Sequence, residues 1–205
     1  MGAMHADAAD RHITGIVLAG GRSRRFSADK LAVELDGRPL LHYPILALAA
    51  CCDAVIVVVS RDGPEPPLPV GIEVPIRIIH DVVADAGPVA GLVAGLAAAG
   101  EGIVLVVGGD QPALRPELLR LLASTLGIHE AAALVEGDAP RSLPVVLRRD
   151  PALAAARRAL GSERRSLLGV LLVLGALEVP ESVWRTADPD GAWRRDVDRP
   201  EDLLG

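Results

Sequence analysis

Short apolar runs rich in valine and isoleucine recur along this chain, and between them lie longer stretches of helical character. Residues 13–19, 54–59, 77–80 and 102–107 are such runs, and an unbroken β-branched run is what a strand buried on both faces looks like. Residues 131–135 and 144–148 read as two further strands. Helices are expected over residues 39–51, 88–99, 116–126, 151–160 and 166–174, the first with Pro39 in its opening turn, where a missing N–H does no harm. In the second, Gly91 and Gly95 are four apart. They therefore share a face and permit close packing on a sheet. Residues 31–35 with Asp36-Gly37 read as a short extended piece and turn, and residues 193–204 as a short strand followed by a helical turn from Pro200. Residues 61–75 hold five prolines and two glycines, which makes them an irregular surface loop. Strand–helix alternation with short connections predicts a Rossmann-like, doubly wound three-layer α/β fold with a mostly parallel central sheet.

In such a fold the ligand lies beyond the carboxyl ends of the strands, and three of the expected strands end there in residues suited to chemistry. The first runs into Gly20-Gly21 and then Arg22, Arg24, Arg25 and Lys30. A residue without Cβ lets backbone N–H groups approach a phosphate directly, and the cations offset its charge. A strand and turn followed by a solvated basic loop is the plainer reading of the same residues. Against it, Lys30 is the only lysine beside twenty arginines. A site that needs a compact point charge on a flexible stem explains the exception. Another strand ends in His80-Asp81, where Asp81 suits a turn or a helix N-cap as well as a ligand contact. A third ends in Gly108-Gly109-Asp110-Gln111-Pro112. There Asp110 is placed to hold Mg2+ against a polyphosphate, the alternative being an aspartate that only makes the turn.

Composition narrows the class. At 205 residues the chain is long enough for one sizeable core. Its aromatic residues are only Phe26, Tyr43, Trp184 and Trp193, so Ala, Val, Leu and Ile must fill that core. A formal charge of −6 argues against a nucleic-acid binder, which needs a broad basic surface. Cys51 and Cys52 are adjacent and have no partners at metal spacing, so they read as small buried residues of a reducing compartment. The longest apolar stretch, residues 167–179, is interrupted by two glycines and a glutamate and is too short to span a bilayer. A cytoplasmic protein without membrane contact is expected. Residues 1–12 are expected to be a disordered tail and residues 13–205 a single domain.

The glycine loop carries neither GxxxxGK[ST] nor GxGxxG. It resembles instead the LAGGxSxRxGxDK signature of the nucleotidyltransferases related to molybdenum cofactor guanylyltransferase, here running from Leu18-Ala19-Gly20-Gly21 through Arg25 to Asp29-Lys30. The resemblance continues through GRPLL at 37–41, GPVAGL at 87–92, GDQP at 109–112, Arg141 with Pro144, and DVDRPEDL at 196–203. It implies a nucleotide-binding half over residues 13–112 and an acceptor-binding half over 113–205. Leu18, Ala19, Gly20 and Gly21 would line the nucleotide, with Arg25 and Lys30 on its phosphates. Asp81 would contact the nucleoside, Asp110 would hold Mg2+, and Arg141, Asp196 and Asp198 would face the acceptor. Arg25, Lys30 and Asp110 would then be the catalytic groups. The implied reaction is guanylyl transfer from GTP to molybdopterin with release of pyrophosphate, and molybdoenzymes or their chaperones are the implied receivers of the product.

Three positions depart from the family pattern. Ser27 replaces a glycine, and Asp196 and Asp198 stand where Asn-x-Asn is usual, in a chain that contains no asparagine. The exchange is either compositional drift without a change of task or makes Asp198 a second metal ligand beside Asp110. An asparagine usual after the second strand is also missing, with Val58 and Val59 in that region. The alternatives are a CTP-dependent cytidylyltransferase, whose branch usually reads LAAG, another small NTP transferase, or a relative that binds cofactor without turnover.

Overall fold

The structure is a computed structural model that describes residues 12–20, 33–81, 87–162, 165–197 and 202. In chain order its elements are β1 (Ile13–Leu18), β2 (Glu34–Leu35), β3 (Arg38–Pro39), α1 (His42–Ala49), β4 (Ala54–Val59), β5 (Ile76–His80), α2 (Pro88–Ala98) and β6 (Ile103–Gly108). They continue with α3 (Pro116–Thr125), β7 (Ala131–Glu136), β8 (Ala139–Arg148), α4 (Arg149–Leu160), α5 (Leu167–Val173), β9 (Leu177–Val179) and α6 (Glu181–Trp184). Seven strands form one sheet in the order β5-β4-β1-β6-β8-β7-β9. The pairs β5–β4, β4–β1, β1–β6 and β7–β9 are parallel, while β8 runs antiparallel to both its neighbours.

The uninterrupted apolar strands are buried on two sides, as their composition requires. Along β1, β4 and β6 successive residues alternate between two cores. Val17, Val57 and Val107 pack on one face with Ile45 and Leu48 of α1 and Leu118 and Leu122 of α3. Ile16, Ile56 and Val106 pack on the other with Leu92 and Leu96 of α2 and residues of α4 and α5. Helices therefore cover both faces, which makes the three-layer, doubly wound arrangement. The close approach expected of α2 is present: a Cβ on Gly95 would stand 2.8 Å from Ile16 Cγ2, and one on Gly91 would stand 3.5 Å from Leu18 Cδ2.

Three departures from the sequence expectation have tertiary or turn-level causes. Pro39 lies in β3 and not in a helix, because Asp36 (φ 51°) and Gly37 (φ 72°) are both left-handed. That geometry makes a tight two-residue hairpin turn. It folds Arg38 and Pro39 back on Leu35 and Glu34, and the helix begins only at His42. The apolar stretch 167–179 divides into α5 and β9 at left-handed Gly175 (φ 57°), and β9 extends the sheet beyond β7. Residues Ala192–Arg194 form a 3-10 helix where a strand was expected. Here the buried Asp188 carboxylate accepts a hydrogen bond from Trp193 N at 2.9 Å, and the Trp193 and Trp184 rings meet edge to face with centroids 5.6 Å apart. Both tryptophans are fully buried, so packing overrides the extended tendency of the segment.

Candidate active site

The chain leaves β1 towards β4 and β5 on one side and then crosses to β6 on the other. The order of strands therefore reverses between β1 and β6, and a crevice opens beyond the carboxyl ends of strands at such a switch point. Leu18 is in register with Val58 on one side and Gly108 on the other. Pairing continues past the strand ends: Ala19 N donates to Val58 O at 2.8 Å, and Gly109 N donates to Leu18 O at 3.0 Å. The opening of the glycine turn and the Gly108-Gly109-Asp110 turn are thus immediate neighbours. Gly20 is exposed, and a Cβ there would lie 3.4 Å from Ser60 N. Asp81 lies along the same edge, its N–H donating to Val59 O at 2.9 Å. It is two strands from β1, roughly 10 Å by ordinary strand spacing.

Asp110 is partly buried and folds back over its own strand. A Cβ on Gly108 would come within 2.6 Å of Asp110 Oδ1, so the glycine makes the room that the carboxylate occupies. Buried Gln111 fixes this turn, its Oε1 accepting from Gly108 N at 2.8 Å. Asp110 O also accepts from Val197 N at 2.9 Å, which brings the C-terminal segment to the site. The same segment places Asp196, whose Oδ2 lies 3.4 Å from Arg141 Nη2 on β8. Asp110, Arg141 and Asp196 line one cleft of about 440 Å3 together with Gln111, Leu143 and Leu168.

Of the residues singled out from the sequence, Leu18, Ala19, Gly20, Asp81 and Asp110 lie along the carboxyl edge of the sheet, and Arg141 and Asp196 join Asp110 in the cleft. Gly21, Arg25, Ser27, Lys30 and Asp198 lie outside the described residues. The sequence reading did not single out Gln111, Leu143 or Leu168. Gln111 sits in the quoted GDQP run, where its amide beside Asp110 was the available signal. Leu168 carried none, because a leucine in an apolar helix reads as core. The set suits a hard cation only in part-protein coordination: Asp110 brings a carboxylate to the cleft, Asp196 is already paired with Arg141, and substrate phosphate and water would supply the remaining ligands. Among the described residues no group of three or more His, Cys, Asp or Glu is placed to hold a metal.

The profile of the MobA-like NTP transferase domain matches residues 15–174. The chain belongs to the MobA-like NTP transferase family. Its full-length relatives include a probable molybdenum cofactor guanylyltransferase of Chloroflexus aggregans, 30% identical over 93% of this chain and 91% of that protein. A second, from Natronomonas pharaonis, is 31% identical over 93% of this chain and 94% of the relative. Among solved structures, molybdopterin-guanine dinucleotide biosynthesis protein A from Archaeoglobus fulgidus superposes with a TM-score of 0.74 at 23% identity. It covers 93% of this chain and 95% of its own, and so supports the MobA-like fold. NTP transferases of this family normally use a divalent metal. Among the described residues no helix is long and apolar enough to cross a membrane.

Proposed function

We infer that this MobA-like protein transfers the guanylyl group of GTP to the terminal phosphate of molybdopterin and releases pyrophosphate. The observation that carries this reading is that Asp110, beside the end of β1 at the switch point, lines one cleft with the Arg141–Asp196 pair. The relatives named guanylyltransferases over nearly their whole length support the choice of GTP and of a molybdopterin acceptor.

In the transfer, an oxygen of the acceptor phosphate attacks the α-phosphorus of GTP. The bond from that phosphorus to the α–β bridging oxygen breaks, pyrophosphate leaves, and a diphosphate linkage joins the two nucleoside and pterin parts. No general base is required, because a phosphate monoester is already an anion near neutral pH. The protein's task is alignment and charge compensation. Leu18 and Ala19 would line the nucleotide, backbone N–H groups from Gly20-Gly21 onward would face its phosphates, and Arg25 and Lys30 would take their charge. Arg141 would hold the acceptor phosphate in line. Asp110, with Asp198 as a further carboxylate, would hold Mg2+, which when bound would offset the negative charge that develops on the leaving pyrophosphate. Asp81 would contact the nucleoside.

Pyrophosphate release is the test, measured with Mg2+, molybdopterin and each of GTP, CTP, ATP and UTP. Turnover with GTP is expected, and an Asp110→Ala variant should lose about 100-fold or more of it with an unchanged melting temperature. Turnover with CTP in preference to GTP would move the protein to cytidylyl transfer, and GTP binding without pyrophosphate release would make it a binding relative.

A further inference from the structure

We propose that Glu136, which does not line the cleft, is a positioning residue that holds Arg141 in the orientation needed to receive the acceptor phosphate. The proposal rests on the acceptor role of Arg141 given above. Glu136 ends β7, immediately before the turn into β8, and its Oε2 lies 3.3 Å from Arg141 Nη1. Its other oxygen, Oε1, lies 3.6 Å from Nη1 of Arg194. One carboxylate therefore bridges two guanidinium groups, with the cleft in front of one and the protein behind the other.

Arg194 is itself held firmly. Its Nε donates to Gly191 O at 3.0 Å, and its guanidinium occupies the space where a Cβ on Gly191 would stand, 2.5 Å from Nη2. It also lies over the fully buried Trp184 ring, 5.7 Å from the centroid, and the Trp184 Nε1 donates to Val135 O at 2.8 Å. Val135 is the residue before Glu136, so the ring, the arginine and the strand end form one packed unit. The β7–β8 register shifts between Ala133 and Val135, just ahead of this end. Such irregularities re-aim the side chains that follow.

The two carboxylate partners of Arg141 then differ in what they can do. Asp196 lines the cleft and Glu136 does not. An incoming phosphate dianion competes with Asp196 for the exposed side of the guanidinium and leaves the Glu136 contact intact. Arg141 is thus ready in one orientation before the acceptor arrives, and the ordering cost of a long side chain falls outside the binding step. Both side chains are about two-fifths exposed, so solvent screens the pair and the effect is moderate.

The test compares Glu136→Gln, Glu136→Asp and Arg141→Ala in the full chain, with KM measured separately for molybdopterin and for GTP. Glu136→Gln should raise the acceptor KM about five-fold with GTP KM and melting temperature unchanged, and Glu136→Asp should recover part of that loss. Combining Glu136→Gln with Arg141→Ala should add nothing to Arg141→Ala alone. Should Arg141→Ala raise the acceptor KM while neither Glu136 variant moves it, the positioning role falls and the reading of the cleft stands. Should Arg141→Ala leave the acceptor KM unchanged, both fall. Equal rises in the two KM values, or additive effects in the double variant, would make Glu136 a merely structural residue and overturn the proposal.

Discussion

At the scale of single residues, the cleft depends on where carboxylates and cations can be held without loss. Asp110 stays at the end of β6 because Gly108 leaves it space and Gln111 closes the turn. In the proposed metal-holding role of Asp110, this preset position would avoid the ordering cost that an aspartate on a free loop would pay. The other residue-level contrast is between Cys51 and Cys52, whose sulfurs are 4.0 Å apart. The hydrogen bond from the Cys52 thiol, opposed by burial and helped by nearby Arg120, holds the Cys51 thiol below the usual cysteine range. The same hydrogen bond, together with burial, pushes the Cys52 thiol up. A lowered value means thiolate at lower pH, and the thiolate is the reactive form. Alkylation of Cys51 by iodoacetamide should therefore set in below the pH of an ordinary thiol, near 8.5, while Cys52 remains unmodified over the same range. Peptide mass spectrometry along a pH series checks this, and parallel labelling of both residues would contradict it.

At the scale of elements, α2 shows how two glycines four residues apart can have different standing. A Cβ on Gly95 would meet two atoms of Ile16 at 2.8 and 2.9 Å, closer than side chains tolerate, whereas one on Gly91 would make ordinary contacts at 3.5 and 3.7 Å. Alanine gains about 1 kcal/mol over glycine in a helix interior, and overpacking a core costs about 1–3 kcal/mol. Gly91→Ala should thus be stabilising by up to about 1 kcal/mol, and Gly95→Ala neutral to destabilising by about 2 kcal/mol. Urea midpoints at constant slope distinguish the two, and a Gly95→Ala protein more stable than Gly91→Ala would mean that α2 rides higher on the sheet. The same element-scale reasoning explains why Pro39 misleads. Proline fixes φ but does not choose between a first helical turn and a strand end, and the left-handed pair at Asp36 and Gly37 made that choice.

At the scale of the whole molecule, binding at a switch point ties β1, β6 and the C-terminal segment into one unit. A ligand that bridges them stabilises the folded state as a whole. GTP with Mg2+ at a hundred times its dissociation constant should add roughly 2.7 kcal/mol, or roughly 5–10 °C in melting temperature for a chain of this size. CTP at the same concentration should add less. An equal response to all four nucleotides would count against guanine selectivity. Melting in the presence of each nucleotide, with and without Mg2+, provides the comparison.

The sequence by itself determined the alternation of strands and helices, the burial of β1, β4 and β6, and the glycine and acidic residues at their ends, because burial on two faces and tight turns both leave local marks in composition. Only the tertiary structure decided that Arg141 meets Asp196 across 55 residues of chain and that Glu136 stands between Arg141 and Arg194. It likewise decided that Trp184 and Trp193 bend the C-terminal segment into a 3-10 turn that delivers Val197 to Asp110. Contacts between distant segments leave no periodic trace along the chain, since each partner alone looks like any other surface charge or buried ring. They exist only once the sheet and its two layers of helices have brought those segments to one edge.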